Sequence, residues 1–190
     1  DGDITDEKVT TIFPFDNEYF GLFGESLAAS GKTLVVGAKG LSILGAGGAY
    51  VITDRDNDGD FSNESMVKII GSSTSHVGRA ADAVAIYNHT IVLGDIEQKK
   101  VYIIVDSDQD GFYHDEIIQV ISAPTNDNVN FGSSVSIHND TIAIGSPDFV
   151  DSKGDRTGAI YTILDSDGDG DYGEESLTKL GPFNHTQMGR

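Results

Sequence analysis

Three acidic segments of the sequence share a spacing of carboxylates that suits a hard metal cation. In each, aspartates occupy positions 1, 3 and 5 and glycine occupies position 6, counted from Asp54, Asp106 and Asp165. Alternate side chains of such a loop converge on one point, and the glycine permits the sharp turn that directs the carbonyl group of position 7 inward. Oxygen ligands without histidine or cysteine favour Ca²⁺ over zinc or copper, while Mg²⁺ demands a tighter octahedral geometry. The segments therefore predict calcium loops.

A glutamate at position 11 follows in all three segments. The helical EF-hand loop places its bidentate glutamate at position 12, so the identity of the last ligand is left open here. The predicted ligands are Asp54, Asp56, Asp58, Asp60 and Glu64 in loop 1, Asp106, Asp108, Asp110, Phe112 and Glu116 in loop 2, and Asp165, Asp167, Asp169, Asp171 and Glu175 in loop 3. A partial fourth copy offers Asp1, Asp3 and Glu7 at the corresponding positions. Ordinary Asp-Gly hairpin turns are the alternative interpretation, and recurrence in one register favours the metal.

The net charge of the chain is −19, from 31 acidic and 12 basic residues. Of the acidic residues, 20 fall within residues 1–7, 54–64, 106–116 and 165–175. Like charges repel one another in a compact fold, and each bound Ca²⁺ would offset two of them. Because nucleic acid is itself an anion, the same excess excludes a nucleic-acid partner.

The segments that must position these loops are short β-branched runs separated by Gly, Asn and Asp turns. The first unit has four such runs, at residues 23–28, 33–37, 48–52 and 66–70. The equivalent runs are 80–85, 90–94, 100–104 and 117–121 in the second unit, and 131–136, 141–145, 159–163 and 177–180 in the third. Helical periodicity is absent. Four strands per unit predict an all-β fold of tandem four-stranded antiparallel blades, with the acidic loop between the third and fourth strands.

The repeat sets the predicted organisation of the chain. Repeats are expected at 23–79, 80–130 and 131–187, preceded by the last strand of an earlier repeat (1–22) and followed by the start of another (188–190). Because three blades are too few to close a ring, we expect a β-propeller-like assembly that is part of a larger propeller, or a stretch of an open repeat array. An unpaired edge strand invites pairing with another copy or a neighbouring repeat, so end-to-end assembly into a filament is expected.

Two dipeptides recur at fixed places in the units. Phe-Gly pairs open the first and third units at 23–24 and 131–132, Ala80-Ala81 takes their place in the second, and Gly-Ala pairs precede the third run at 48–49 and 158–159. These motifs resemble the FG-GAP repeat, the blade unit of integrin-α-like β-propellers. The resemblance implies a propeller fold, calcium loops, secretion and a role in adhesion or recognition. It transfers no integrin ligand site, because integrin-like repeats carry their calcium loop between the first two strands.

Sequons and the absence of long apolar runs bear on location. Four Asn-X-Ser/Thr tripeptides place candidate glycans at Asn63, Asn88, Asn139 and Asn184. No run of about 18 apolar residues is present, so membrane insertion is not expected. The chain has no cysteine, so disulfides give no information about its compartment. These features predict an extracellular or cell-surface glycoprotein.

Nothing in the sequence announces a catalytic site, so we expect no enzyme. The five histidines lack metal-ligand spacing and no nucleophile elbow is present. The expected role is an extracellular adhesion or structural module that binds protein or glycan partners. A glycan-binding propeller is the alternative, and it requires Tyr87, Phe112, Tyr113 and Phe149 to form an exposed cluster. A propeller-framed hydrolase is the less favoured alternative. The acidic segment 148–156 is either a partner-binding insertion or a solvated loop.

Overall fold

The computed structural model describes residues 9–14, 22–38, 48–69, 81–125 and 130–181. These residues form β-strands and turns, and none of them forms a helix that is long and apolar enough to cross a membrane. The strands are β1 (Phe23–Ser30), β2 (Thr33–Ala38), β3 (Gly48–Thr53), β4 (Met66–Ile69), β5 (Ala83–Tyr87), β6 (Thr90–Asp95), β7 (Lys100–Val105), β8 (Ile118–Ser122), β9 (Ser134–His138), β10 (Thr141–Ser146), β11 (Ala159–Leu164) and β12 (Thr178–Leu180).

The strands form three four-stranded antiparallel sheets in which each strand pairs with its neighbours along the chain. Sheet I contains β1 to β4, sheet II contains β5 to β8, and sheet III contains β9 to β12. The predicted all-β fold of tandem four-stranded antiparallel units is therefore confirmed. The three sheets fall within the ranges 23–79, 80–130 and 131–187, and the repeat boundaries themselves stay predictions.

Two strands begin three residues later than the sequence pattern indicated. β5 starts at Ala83 rather than at residue 80, and β9 starts at Ser134 rather than at residue 131. The second residue of the Phe-Gly position has a left-handed backbone in all three units, with φ of 93° at Gly24, 79° at Ala81 and 86° at Gly132. Because this conformation departs from extended geometry, β5 and β9 begin after it, whereas β1 runs through it with a register shift between Phe23 and Ser26.

The apolar side chains of β6 point alternately toward two sheet junctions, because successive residues of a strand face opposite sides of the sheet. On β6, Ile91 and Leu93 join a cluster with sheet I that also holds Val35 and Val51, and we call it the first junction cluster. Val92, between them, joins the second junction cluster, which contains Ile142, Ile144 and Ile163 of sheet III. A third group, the outer cluster, contains Val36, Ala38, Tyr50 and Ile52 on the far face of sheet I. Sheet II is thus packed on both faces.

The first strands of successive sheets are neighbours, since β1 contacts β5 and β5 contacts β9. The glycine that ends each second run allows this approach. A Cβ atom added to Gly37 would lie 2.7 Å from the Ala81 carbonyl oxygen, and one added to Gly94 would overlap the carbonyl oxygen of Gly132. Larger residues at these two positions would force the sheets apart.

The strand register brings each acidic loop to the same end of its sheet as the turn between the first two strands. Thr33 pairs with Thr53 in sheet I, Thr90 with Val105 in sheet II, and Thr141 with Leu164 in sheet III. The loop that follows the third strand therefore starts beside that turn. In all three sheets the N–H of the loop's first aspartate donates to a turn carbonyl at 2.9 Å.

The acidic segment 148–156 forms a closed hairpin between β10 and β11. Val150 and Arg156 form an antiparallel bridge, and Arg156 Nη1 lies 3.1 Å from Asp148 Oδ1. Phe149 is buried, and Lys179 Nζ lies 4.0 Å from the centre of its ring. These contacts give the segment a defined shape, while its proposed partner role stays a prediction.

Candidate metal centres

The side chains at positions 1, 3 and 5 converge in each acidic loop. In every group, one carboxylate oxygen from each residue lies within 4.8 Å of the others, and the groups are Asp54, Asp56 and Asp58; Asp106, Asp108 and Asp110; and Asp165, Asp167 and Asp169. The first aspartate is buried in all three loops, with 7%, 2% and 6% exposure for Asp54, Asp106 and Asp165. The spacing identified in the sequence therefore produces three equivalent clusters of carboxylates.

The backbone of the three loops follows one course. Position 4 has a positive φ in each loop, at Asn57 (64°), Gln109 (59°) and Gly168 (75°). The glycine at position 6 is also left-handed, and its N–H donates to the second carboxylate oxygen of the first aspartate at 2.9–3.1 Å. These bonds fix the first aspartate while leaving its oxygen lone pairs available to a cation, since a carboxylate has about four acceptor sites.

At position 7, the side chains of Asp60 and Asp171 lie outside the converging groups, and their role as ligands stays a prediction. Asp60 Oδ1 accepts the N–H of Ser62 at 3.0 Å, and Asp171 Oδ1 accepts the N–H of Gly173 at 2.8 Å. These two carboxylates thus form turns within the loop and are not among the converging oxygens. Loop 2 has Phe112 at this position, which can contribute only its carbonyl group. The group common to the three loops at position 7 is the main-chain carbonyl.

The glutamate at position 11 closes each loop onto its own start. Its Oε1 accepts the N–H of position 2, from Arg55 to Glu64 at 2.8 Å, and from Ser107 to Glu116 and Ser166 to Glu175 at 2.9 Å. The structure places Glu64, Glu116 and Glu175 beside the converging aspartates without making them part of the groups. Their role as ligands stays a prediction.

The close approach of the carboxylates affects the pKa of Asp56 and of Asp167. At Asp56 a hydrogen bond from the Asp58 N–H is the largest influence and lowers the pKa, but desolvation and repulsion by neighbouring carboxylates outweigh it. The pKa of Asp56 is therefore raised above its ordinary value of 3.8, and the pKa of Asp167 is raised in the same way against the hydrogen bond from the Asp169 N–H. A cation among these oxygens would remove that repulsion.

An aromatic residue at position 8 packs each loop against an apolar cluster, which is a sheet junction for loops 2 and 3, and the sequence analysis did not identify it. Tyr113 of loop 2 belongs to the first junction cluster, and Tyr172 of loop 3 belongs to the second. Phe61 of loop 1 packs against the outer cluster on sheet I. Burial, followed by repulsion from Asp165, raises the pKa of Tyr172 to about 12. The recurrence of an aromatic residue at one position of three loops is the signal that could have revealed this anchor.

Several predicted residues lie outside the described parts of the chain or outside the clusters. Asp1, Asp3, Glu7 and Asn184 fall outside the described residues. The sequon residues Asn63, Asn88 and Asn139 are exposed at the loop end of the sheets. The aromatic cluster required for a glycan-binding site is not formed, because Tyr113 and Phe149 are 3% and 6% exposed.

The arrangement defines a class of protein: a β-propeller-type repeat module whose units each carry an acidic loop. Residues 119–164 match the family model of the FG-GAP repeat, from β8 of sheet II to the end of β11 in sheet III. This match confirms the resemblance drawn from the recurring dipeptides, and the chain contains an FG-GAP repeat over these residues. No curated protein matches the chain significantly.

Proposed function

We propose that this chain is an extracellular calcium-binding module that serves adhesion or structure through its repeated sheets. The observation that carries the proposal is the convergence of three carboxylates in each of three loops with one backbone course. FG-GAP repeats often bind Ca²⁺ and occur in extracellular proteins, which agrees with this chemistry. We propose no catalytic role for the chain.

The donor set fits calcium by its chemistry. Each loop provides carboxylate oxygens at positions 1, 3 and 5 and a main-chain carbonyl at position 7, and hard oxygen donors of this kind suit Ca²⁺. Extracellular calcium modules have dissociation constants of roughly 10⁻⁴–10⁻³ M. At ten times that concentration one site stabilises the folded state by about 1.4 kcal/mol, and three sites by about 4 kcal/mol. That sum is comparable with the net stability of a small domain.

The connection between loop and junction explains why calcium would be structural. The carboxylates of loop 3 lie a few residues before Tyr172, whose ring is buried between sheets II and III. A cation that fixes the loop also fixes this ring, and the same relation holds for Tyr113 between sheets I and II. Calcium would thus stiffen the stack of sheets, which is the property that an adhesion module needs to transmit force.

A calorimetric titration tests the calcium sites one by one. We expect Asp56→Ala, Asp108→Ala and Asp167→Ala each to remove one equivalent of bound Ca²⁺, because each substitution removes one of three converging carboxylates. Asp115→Ala is the matched control, since Asp115 is acidic and exposed but is not one of the converging residues. A titration in which all four variants bind as much calcium as the original chain would refute the site assignment.

The outer face of sheet III supports the assembly part of the proposal. Ile69 of β4 and Ile121 of β8 pack against the following sheet, and Leu180 is their equivalent in β12 by strand register. Leu180 is 43% exposed, and the neighbouring Ile160 and Leu164 are 51% and 53% exposed. At these three positions the face carries apolar residues, as sheets I and II do at the positions equivalent to Leu180. We propose that a further sheet of the same kind, from a neighbouring copy, covers it.

Sedimentation in calcium tests this assembly. We expect the chain to form concentration-dependent oligomers and Leu164→Lys to weaken them at least tenfold, because burying a charge in an apolar contact is unfavourable. Leu27→Lys is the matched control, since Leu27 is 62% exposed, against 53% for Leu164, but lies on β1. Monomers alone at high concentration, or equal effects of the two substitutions, would refute the proposed contact.

A further inference from the structure

The side chain of Gln119, on the last strand of sheet II, makes two hydrogen bonds to loop 3 of sheet III. Its Nε2 donates to the Gly170 carbonyl oxygen at 2.7 Å, and its Oε1 accepts the N–H of Tyr172 at 2.7 Å. The two bonds flank Asp171, which is position 7 of the loop. One side chain from the preceding sheet thus holds the two peptide groups on either side of Asp171, and the second of them contains the predicted carbonyl ligand.

The direction of these bonds determines where the Asp171 carbonyl points. A trans peptide group carries its N–H and its carbonyl on opposite sides. The peptide between Gly170 and Asp171 has its carbonyl on Gln119 and its N–H on Asp169 Oδ1 at 2.7 Å, so the carboxylate of Asp169, one of the converging group, lies on the side away from Gln119. The next peptide has its N–H on Gln119. The Asp171 carbonyl therefore faces the side of the carboxylates.

Loop 2 is attached to its preceding sheet by different contacts. Val67 of β4 takes the place of Gln119, since Val67 pairs with Val51 on β3 as Gln119 pairs with Ile103 on β7. Val67 packs against the first junction cluster and has no amide to offer. Other residues of the first unit hold loop 2: Thr53 Oγ1, at the end of β3, donates to the Gly111 carbonyl oxygen at 3.4 Å, and the guanidinium of Arg55, in loop 1, lies 3.6 Å from the ring centre of Phe112. The amide clamp thus distinguishes loop 3 from loop 2.

We propose that Gln119 is a positioning residue for the third calcium loop, so that the calcium affinity of loop 3 depends on sheet II. This inference rests on the proposed calcium binding. By thermodynamic reciprocity, calcium in loop 3 then strengthens the contact between sheets II and III by the same factor by which that contact strengthens calcium binding. Residues that orient metal ligands typically change metal affinity by about 10- to 100-fold when they are replaced.

Terbium luminescence can follow loop 3 by itself. A tyrosine beside a bound Tb³⁺ ion sensitises its emission, and position 8 is Tyr172 in loop 3, Tyr113 in loop 2 and Phe61 in loop 1. In a Tyr113→Phe background, the part of the sensitised emission that Asp167→Ala removes is therefore assigned to loop 3. Titration of this background with Tb³⁺, followed by competition with Ca²⁺, gives the affinity of the loop.

The test variant is Gln119→Met, which keeps the length and volume of the side chain and removes both hydrogen bonds. Gln119→Val, which introduces the residue found at the equivalent position of β4, is a second variant with the same expectation. Ser122→Met is the matched control, because Ser122 is exposed on the same strand. We expect both Gln119 variants to weaken Tb³⁺ and Ca²⁺ binding to loop 3 by about tenfold or more, and the control to bind as the background does.

Three results would overturn the inference, and they are distinguishable. Unchanged affinity of loop 3 in both Gln119 variants would refute the positioning role while calcium binding stands. Equal weakening of loop 2, measured through Tyr113 in a Tyr172→Phe background, would show general destabilisation instead of positioning. Absence of Tb³⁺ and Ca²⁺ uptake by the unsubstituted chain would overturn the inference together with the proposed function.

Discussion

Tyr172→Ala should separate the anchoring of loop 3 from the rest of the fold. The ring is 3% exposed and belongs to the second junction cluster. Replacing a large buried aromatic side chain by alanine costs about 3–5 kcal/mol, because apolar contact is lost and a cavity remains. The substitution also releases the residue next to Asp171, so we expect loop 3 to lose the calcium-dependent stabilisation of about 1.4 kcal/mol estimated for one site.

Urea denaturation in calcium and in excess chelator measures both parts. We expect Tyr172→Ala to lower the free energy of unfolding by about 3–5 kcal/mol in chelator and by a further ~1 kcal/mol in calcium. Tyr172→Phe is the control, because it keeps the ring, and it should change stability by less than about 1 kcal/mol. A loss below about 1 kcal/mol in Tyr172→Ala, with calcium dependence unchanged, would refute the idea that the ring joins the loop to the sheet junction.

Two further substitutions test local features of the chain. Gln109 is exposed with φ of 59°, a conformation that glycine adopts at the same position of loop 3. Gln109→Gly should therefore raise the free energy of unfolding in chelator by about 0.5–1 kcal/mol. A lower free energy of unfolding, measured by urea denaturation, would contradict this. Burial, opposed by the Gln98 N–H bond and aided by nearby carboxylates, raises the pKa of Asp95 above 3.8. The destabilising charge is therefore absent below pH 3.8 and develops as the pH rises through the folded-state pKa. Asp95→Asn keeps an acceptor for the Gln98 N–H. This variant should be more stable than the original chain at neutral pH and lose this advantage in acid. An equal gain in stability at both pH values would be inconsistent with burial of a charge.

The strands and the carboxylate clusters could be predicted because both depend on residues close together in the chain. Each sheet consists of consecutive antiparallel strands, so β-branched runs separated by turns are sufficient to indicate it. The convergence of Asp165, Asp167 and Asp169 likewise follows from alternate spacing and a glycine. The late starts of β5 and β9 could not be inferred, because the same position is left-handed in β1, where the strand nevertheless runs through it.

The contacts between sheets could not be predicted from these patterns. Gln119 bonds to residues 51 and 53 positions further along the chain, and nothing in its own strand indicates that its amide reaches another sheet. Such contacts depend on how the finished sheets pack, which requires the relative placement of two units. The position-8 aromatic residues were easier to predict from the sequence, since Tyr113 and Tyr172 recur in register with the aspartates.

The central claim is that calcium in the acidic loops holds the stacked sheets together, and a thermal melt with and without calcium tests it most directly. About 4 kcal/mol from three sites corresponds to a shift in melting temperature of about 8–16 °C for a chain of this size. We expect the melting temperature to fall by about this amount in excess chelator and to recover when calcium is restored. An unchanged melting temperature would contradict the account, and the aspartate-rich loops would then be ordinary turns.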